Sequence, residues 1–354
     1  MKRTVLITGG AGFTGSNLAS RLANCGKTVI VFDDFSSPGA RKNLQWLMGL
    51  HRGRVRPVYA RMSDRYRLSE AVSDAELVFH LANKPVDGPD AGREYELNGA
   101  GTINLLEALS SMPNPPPAIF ASTSRVYGGM DDMELRPRGH MYEPAEPELR
   151  EYGIGEKMPL EPDGRYGCFK PCMEGFVLKY ARERGMPLTV LRLGCIYGPR
   201  QTGAEEQGWV AQIFRKAISG ERIAVNGDGR QVRDILFVDD LVEAFTLAAK
   251  NISRLAGGVY NIGGGPANAI SLWQVLLKLE ELQGWLPPLV YRDWRKVGQR
   301  YFVSDNRRFS EATGFRPVVS NSDGMDMLYH WMCDRAGVRP ARAGQPGRRA
   351  IMGA

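Results

Sequence analysis

No stretch of the 354-residue chain approaches the roughly 18 uninterrupted apolar residues that a membrane-spanning helix needs. Histidine is scarce, at four residues, and the five cysteines (Cys25, Cys168, Cys172, Cys195 and Cys333) are odd in number and scattered. A disulfide framework is therefore not implied. Cys168 and Cys172 have a C-x3-C spacing, but no second Cys or His pair lies nearby, so no metal is expected. Acidic residues are missing from residue 335 onward, where Arg335, Arg339, Arg342, Arg348 and Arg349 carry five of the seven formal net positive charges. The body of the chain is thus nearly balanced, and nucleic acid is not an expected partner. The Gly, Pro, Ala and Arg composition of residues 335–354 reads as a disordered tail. Met1-Lys2-Arg3 leads straight into an apolar run with no cleavable segment, so a cytoplasmic location is expected.

What is present is a hydrophobic content of 43%, punctuated regularly by Gly and Pro, as in a folded α/β protein. Thr4-Val5-Leu6-Ile7-Thr8 breaks into Gly9, Gly12 and Gly15 and then continues as a helix through Phe13, Thr14 and Leu18. A strand, tight turn and helix N-terminus in that order bring backbone N–H groups and the positive end of a helix dipole to a pyrophosphate. Alone, the G-x-x-G-x-x-G spacing also suits a glycine-rich loop. The context sharpens it: Thr28-Val29-Ile30-Val31-Phe32 reads as a second strand ending in Asp33, about 20 residues on. An acid there accepts hydrogen bonds from an adenosine ribose and repels a 2′-phosphate, which favours NAD over NADP. Arg41 and Lys42 read as ordinary surface charge.

The polar turn from Asp34 through Ser36 to Gly39 is placed to wrap the adenosine side, unless it is a plain connection. Further strands are predicted at 55–59, 77–82 and 118–121, with a helix over 98–109. Ligands in such sheets lie beyond the carboxyl ends of the strands, so loop 82–90, with Lys84, is expected to face the nicotinamide half. Ser122-Thr123-Ser124-Arg125 follows the fifth strand; its hydroxyls either meet substrate oxygens or simply end the strand. Residues 129–165 are polar, rich in Pro and Glu and weakly periodic, and read as a long functional or lid-like loop.

Tyr166 and Lys170 then fall at i and i+4, on one face of a helix. An ammonium beside a phenol, with a cationic nicotinamide nearby, lowers the tyrosine pKa towards that of a general base. The same spacing alone is common on solvated helices. Downstream, helical patterns at 209–218 and 241–249 alternate with short strands at 222–225 and 259–262. Arg233 and Arg295 suit a diphosphate, since Arg binds phosphate oxygens bidentately, or are surface charge. Trp209 lines a pocket or packs in a core.

Taken together, these motifs, with His80-Leu81-Ala82, Val126-Tyr127-Gly128, Ile196-Tyr197-Gly198-Pro199-Arg200-Gln201, Asn226 to Asp234 and Asn261-Ile262-Gly263-Gly264, resemble the extended short-chain dehydrogenase/reductases acting on nucleotide sugars. Within them the sequence is most similar to the CDP-paratose 2-epimerase (CDP-tyvelose epimerase) family, through Tyr166-Gly167-Cys168, Gln207-Gly208-Trp209-Val210, Gly229 to Asp234 and Gln299 to Asp305. The resemblance implies a Rossmann-type doubly wound parallel sheet (residues 1–195), a smaller α/β substrate part (196–334, with segments returning to the sheet), and a homodimer. It also implies transient oxidation of a sugar carbinol by NAD with hydride return to the opposite face. Thr123, Tyr166 and Lys170 would be catalytic. Gly9, Gly12, Phe13, Thr14, Gly15, Asp33, Asp34, Ser36, Leu81, Ala82, Lys84, Asn98, Tyr166 and Lys170 would hold the cofactor. Thr123, Arg125, Gln201, Trp209, Arg233 and Arg295 would hold the substrate.

Several residues depart from the family pattern. Ala60-Arg61 replaces the Gly-Asp whose acid meets adenine, leaving Asp64 as the nearest alternative. Phe169 stands for a small residue, Pro171 follows the lysine, and Gly298 replaces an acid. Ser124-Arg125 in place of an Asp-Glu pair argues against a 4,6-dehydratase. A UDP-sugar 4-epimerase or decarboxylase and a non-catalytic NAD-binding scaffold or sensor stay open as alternatives.

Overall fold

The computed structural model describes residues 4–83, 95–162, 164–201, 208–294 and 298–340, without the side chains of 95–97 and 164–167. The β-branched and aromatic runs form strands β1 (Thr4–Thr8), β2 (Thr28–Asp33), β3 (Val55–Tyr59), β4 (Leu77–His80) and β5 (Ala118–Thr123). Further along come β6 (Leu135–Arg138), β7 (Met141–Pro144), β8 (Leu188–Leu193), β9 (Cys195–Tyr197), β10 (Ile223–Asn226), β11 (Val232–Phe237) and β12 (Val259–Ile262). The last are β13 (Ala269–Ser271), β14 (Leu289–Arg292) and β15 (Tyr301–Phe302).

Seven strands pair in the order β12-β8-β5-β4-β1-β2-β3, every pair parallel. This is the doubly wound Rossmann architecture, and the chain reverses direction across the sheet between β1 and β4. The crevice beyond the carboxyl ends of those two strands is therefore the natural ligand site. Two apolar layers cover the faces: one joins Ile7, Val31 and Phe79 to Leu241 and Phe245, and the other joins Leu6, Phe32 and Val78 to Leu105, Leu109 and Val177. Burial on both faces explains why these strands read as nearly continuous apolar runs rather than as alternating ones.

The second layer of structure is built onto the first. β11 pairs with β9, β13 and β15, β10 pairs with β14, and a separate core gathers Val210, Phe214, Phe237, Leu276 and Leu328. β12 returns to the main sheet beside β8.

Four expectations are corrected. Residues 129–162 are not one structureless connection: β6 and β7 form an antiparallel hairpin, a helix spans Pro147–Tyr152, and Leu135, Met141 and Leu149 pack on Val232 and Phe302. Four-residue strands containing Pro137 and Pro144 are too short to show a period. β4 ends at His80, while β5 continues through Ser122 and Thr123 because their backbone still pairs with Arg192 and Leu193. Arg41 is more than surface charge: Nη1 donates to the carbonyls of Phe35 (2.8 Å) and Ser36 (3.1 Å). The final helix, Asn321–Ala336, carries Arg335 and stops at Gly337, whose left-handed φ of 65° ends it. The basic segment therefore starts inside a helix; residues 341–354 lie outside the described residues.

No helix among the described residues is long and apolar enough to cross a membrane.

Candidate active site

The glycine turn is built by contacts that exclude side chains. Gly9 has φ 67°, and a Cβ there would lie 2.8 Å from the backbone of Ala82; at Gly15 it would lie 2.4 Å from the Gly9 carbonyl oxygen. Gly12 caps the helix Phe13–Asn24 with no side-chain hydrogen bond. The first-turn N–H groups of Phe13, Thr14 and Gly15 have no acceptor within the helix. This cradle fits the pyrophosphate of a dinucleotide. Phe13 has a second task, packing against the second apolar core.

Asp33 closes the cradle from the end of β2. Its Oδ2 accepts from Ala11 N (3.2 Å) and its Oδ1 from Phe35 N (2.9 Å), while burial pushes its carboxyl pKa up. Asp34 accepts from Ser36 N at 2.9 Å, so its carboxylate shapes the same turn. Beyond it, Asp34, Tyr59, Arg61, Asp64 and Arg67 line a cavity of about 500 Å³ at the adenosine end. Asp64 is engaged there as a helix cap, accepting from Arg67 N at 3.1 Å, and Arg61 takes the place of the family acid.

On the nicotinamide side, Leu81 N bonds the Thr8 carbonyl and Ala82 N donates to Thr8 Oγ1 (3.3 Å). His80, buried beneath them, contacts Thr8 Oγ1 through Nδ1 (2.8 Å) and Thr102 Oγ1 through Nε2 (3.0 Å). Thr102 donates to the Asn98 carbonyl at 2.9 Å, so its oxygen accepts from His80 and the imidazole carries its proton on Nε2. Burial first and the Lys170 charge second lower the His80 pKa to about 3. Asn98 lies in a π-helical turn, Tyr95–Ala100, and its carbonyl joins this network through Thr102, four residues on. Lys84 lies outside the described residues.

The chemistry gathers at the end of β5. Lys170, buried on the helix Gly164–Arg184, donates from Nζ to the Ala121 carbonyl at 3.1 Å. Burial lowers its pKa to about 8, against the opposing pull of Glu174. Thr123, two residues on, caps a short 3-10 turn, its Oγ1 accepting from Arg125 N at 3.3 Å. Tyr166 stands one turn before Lys170, but its side chain lies outside the described residues. Pro171 is the eighth residue of the helix, in its interior rather than near its start. Phe169 is half-buried.

The substrate side brings together some of the remaining candidates. Arg233 is pinned by its own backbone contacts, Nη1 to Val232 O (2.6 Å) and Nη2 to Gln299 O (2.5 Å), and desolvation lowers its pKa. The charge of exposed Arg125 adds a smaller contribution to that lowering. Gln299 Nε2 in turn reaches Ser124 O at 3.2 Å, joining the two halves of the chain. Gln201 is buried, with Nε2 3.5 Å from Ile196 O, and half-buried Trp209 packs on the second core. Arg295 lies outside the described residues; Gly298 (φ 144°) stands in open space.

Sequence reasoning missed a buried polar network behind Lys170. Arg192 donates to Glu174 from Nε (3.1 Å) and Nη2 (2.7 Å), and from Nη1 to Tyr127 Oη (2.9 Å). Ser122 donates to Glu174 Oε1 at 2.5 Å and Tyr127 to Asn261 Oδ1 at 2.8 Å. Two signals for it were present: Glu174 continues the i, i+4 face of Tyr166 and Lys170, and Arg192 is a charge inside an otherwise apolar strand.

A parallel Rossmann sheet with a glycine cradle at the carboxyl ends of its strands defines a dinucleotide-binding protein. Residues 5–263 match the NAD dependent epimerase/dehydratase family, and the chain belongs to it; NAD is its cofactor. It is 32% identical to CDP-paratose 2-epimerase of Salmonella typhi over 92% of this chain and 98% of that protein. It is 31% identical to UDP-N-acetyl-alpha-D-glucosaminuronate decarboxylase of Bacillus cytotoxicus, over 94% and 98% of the two chains. Among solved structures it is similar to UDP-glucuronic acid 4-epimerase from Bacillus cereus in complex with UDP-glucuronic acid and NAD, with TM-score 0.80, 25% identity and 94% and 99% coverage.

Proposed function

We propose that the protein epimerises a nucleotide-diphosphate sugar, at C2 of a CDP-linked sugar, with no net redox change. The observation that carries the catalytic reading is the buried Lys170 ammonium, one helical turn beyond Tyr166 and bonded to the Ala121 carbonyl two residues before Thr123 at the end of β5. The choice of sugar rests on near full-length similarity to CDP-paratose 2-epimerase. Comparable similarity to a UDP-sugar decarboxylase supports a second reading, decarboxylation or 4-epimerisation of a UDP-sugar.

Bound NAD supplies a reversible hydride acceptor. Tyr166 takes the carbinol proton and gives it back; Lys170 stabilises the phenolate and orients the nicotinamide ribose. Thr123 hydrogen-bonds the reacting oxygen. Arg233 and Arg295 hold the diphosphate, and Gln201, Trp209 and Arg125 frame the nucleotide and sugar. One base suffices because the oxidised sugar turns within the site before the hydride returns. The enzyme is cytoplasmic and dimeric, pairing through the helices Gly101–Ser110 and Gly164–Arg184; the latter carries Phe176, an exposed apolar side chain.

The test incubates the protein with CDP-, UDP-, GDP- and dTDP-sugars in deuterated water and follows the sugar ring by NMR. Inversion at one carbon without solvent deuterium, abolished in Tyr166→Phe, is expected. No change with any sugar, or undiminished turnover in Tyr166→Phe, refutes the proposal.

A further inference from the structure

Pro171 has no N–H, so the carbonyl of residue 167 loses its helical donor and one backbone bond is missing between the turn bearing Tyr166 and Lys170 and the rest of the continuous helix. A compensating attachment runs through side chains. Lys170 grips the Ala121 carbonyl; Glu174, the next residue on the same helix face, accepts from the hydroxyl of Ser122. Two successive turns of the helix thus hold two successive residues of β5, and the third residue is Thr123.

Arg192 fixes the carboxylate from the other side with Nε and Nη2, while its Nη1 bonds the Tyr127 hydroxyl in the turn that Thr123 caps. Arg192 and Glu174 are 6% and 5% exposed, so neither exchanges this partner for water.

Resting on the reading of Lys170 as a catalytic residue, we infer that Glu174, clamped by Arg192 and Ser122, is the positioning residue that sets the Lys170 ammonium against the end of β5 and keeps it charged, a role made necessary by Pro171. Among the described side chains, Glu174 on the same helix and neutral His80 from β4 interact electrostatically with Lys170, and Arg192 of β8 stands behind the Glu174 carboxylate. Glu174 is therefore the anion that opposes the desolvation of the lysine.

The experiment uses the full chain and NAD alone, with the NAD dissociation constant measured by calorimetry from pH 6 to 10 and the melting temperature recorded in parallel. In the wild type, affinity falls as Lys170 loses its proton. Glu174→Gln is expected to weaken NAD binding about tenfold at pH 7 and to move the alkaline fall to lower pH, with Glu174→Asp restoring part of both. Ser122→Ala, which leaves the ion pair in place, gives a smaller shift in the same direction and covers the case in which Glu174→Gln fails to fold. Pro171→Ala added to Ser122→Ala recovers the lost affinity by restoring the backbone bond. A lowered melting temperature with the alkaline fall unmoved in Ser122→Ala and Glu174→Gln overturns the inference, leaving the network a structural one. Lys170→Met separates the two readings: it abolishes the alkaline fall if Lys170 touches the cofactor, and an unaltered fall there refutes the catalytic reading itself.

Discussion

Gly12 and Gly15 belong to one motif, yet their surroundings predict different failures when each is replaced by alanine. At Gly15, inside the first turn of the helix Phe13–Asn24, a Cβ would stand 2.4 Å from the Gly9 carbonyl oxygen and 2.7 Å from Gly10 Cα. Both neighbours are backbone, so no side chain can move aside. Overpacking of this kind costs up to about 3 kcal/mol. Alanine returns about 1 kcal/mol through its better helix propensity. The net loss is about 2 kcal/mol, or about 3 °C in melting temperature for a chain of this size. Gly12 has φ −64° and ψ 177°, open to any residue, and its Cβ would meet only the Gly9 oxygen at 3.1 Å. Gly12→Ala is therefore expected to melt within about 1 °C of wild type. A methyl group on this residue of the cradle should, however, crowd a bound pyrophosphate, and NAD binding is expected to weaken at least tenfold, about 1.4 kcal/mol. Differential scanning fluorimetry without ligand and calorimetric titration with NAD separate the two effects. An unchanged melting temperature in Gly15→Ala, or wild-type NAD affinity in Gly12→Ala, refutes the division of labour.

Two further outcomes follow from the site. Thr123→Ser keeps the hydroxyl that caps the turn to Arg125 N and should retain most turnover, whereas Thr123→Val should lose about tenfold or more in kcat with NAD affinity unchanged; equal rates for the two variants would remove Thr123 from the chemistry. His80 stays neutral in the folded protein until about pH 3, while the unfolded chain protonates it near 6.5, so the unfolded state binds the extra proton and stability falls as pH drops through that window. Urea midpoints from pH 7 to 4 should decline less steeply in His80→Gln than in wild type, and parallel slopes would contradict the buried neutral imidazole.

The parts of this molecule legible in the sequence are those whose physics is local. The inner strands β1, β2 and β4 announce themselves because burial on both faces demands runs of Val, Ile, Leu and Phe, and the cradle because only glycine tolerates backbone at 2.4–2.8 Å. Asp33 is found by counting residues from that turn. The hairpin β6–β7 is hidden since its strands acquire meaning only against Val232 and Phe302, about 90 and 160 residues away. Glu174 is harder still: on a helical wheel it is one more charge, and its role depends on Ser122, Arg192 and Lys170 converging from two strands and one helix. Pro171 shows the same asymmetry from the other side. Read locally it is a helix breaker beside the proposed catalytic pair; read in three dimensions it sits where side chains from two helical turns already hold the strand. On the inference drawn above, the backbone bond that Pro171 removes is offset by the buried Glu174 carboxylate and Arg192 guanidinium, which join the same helix to β5 and β8.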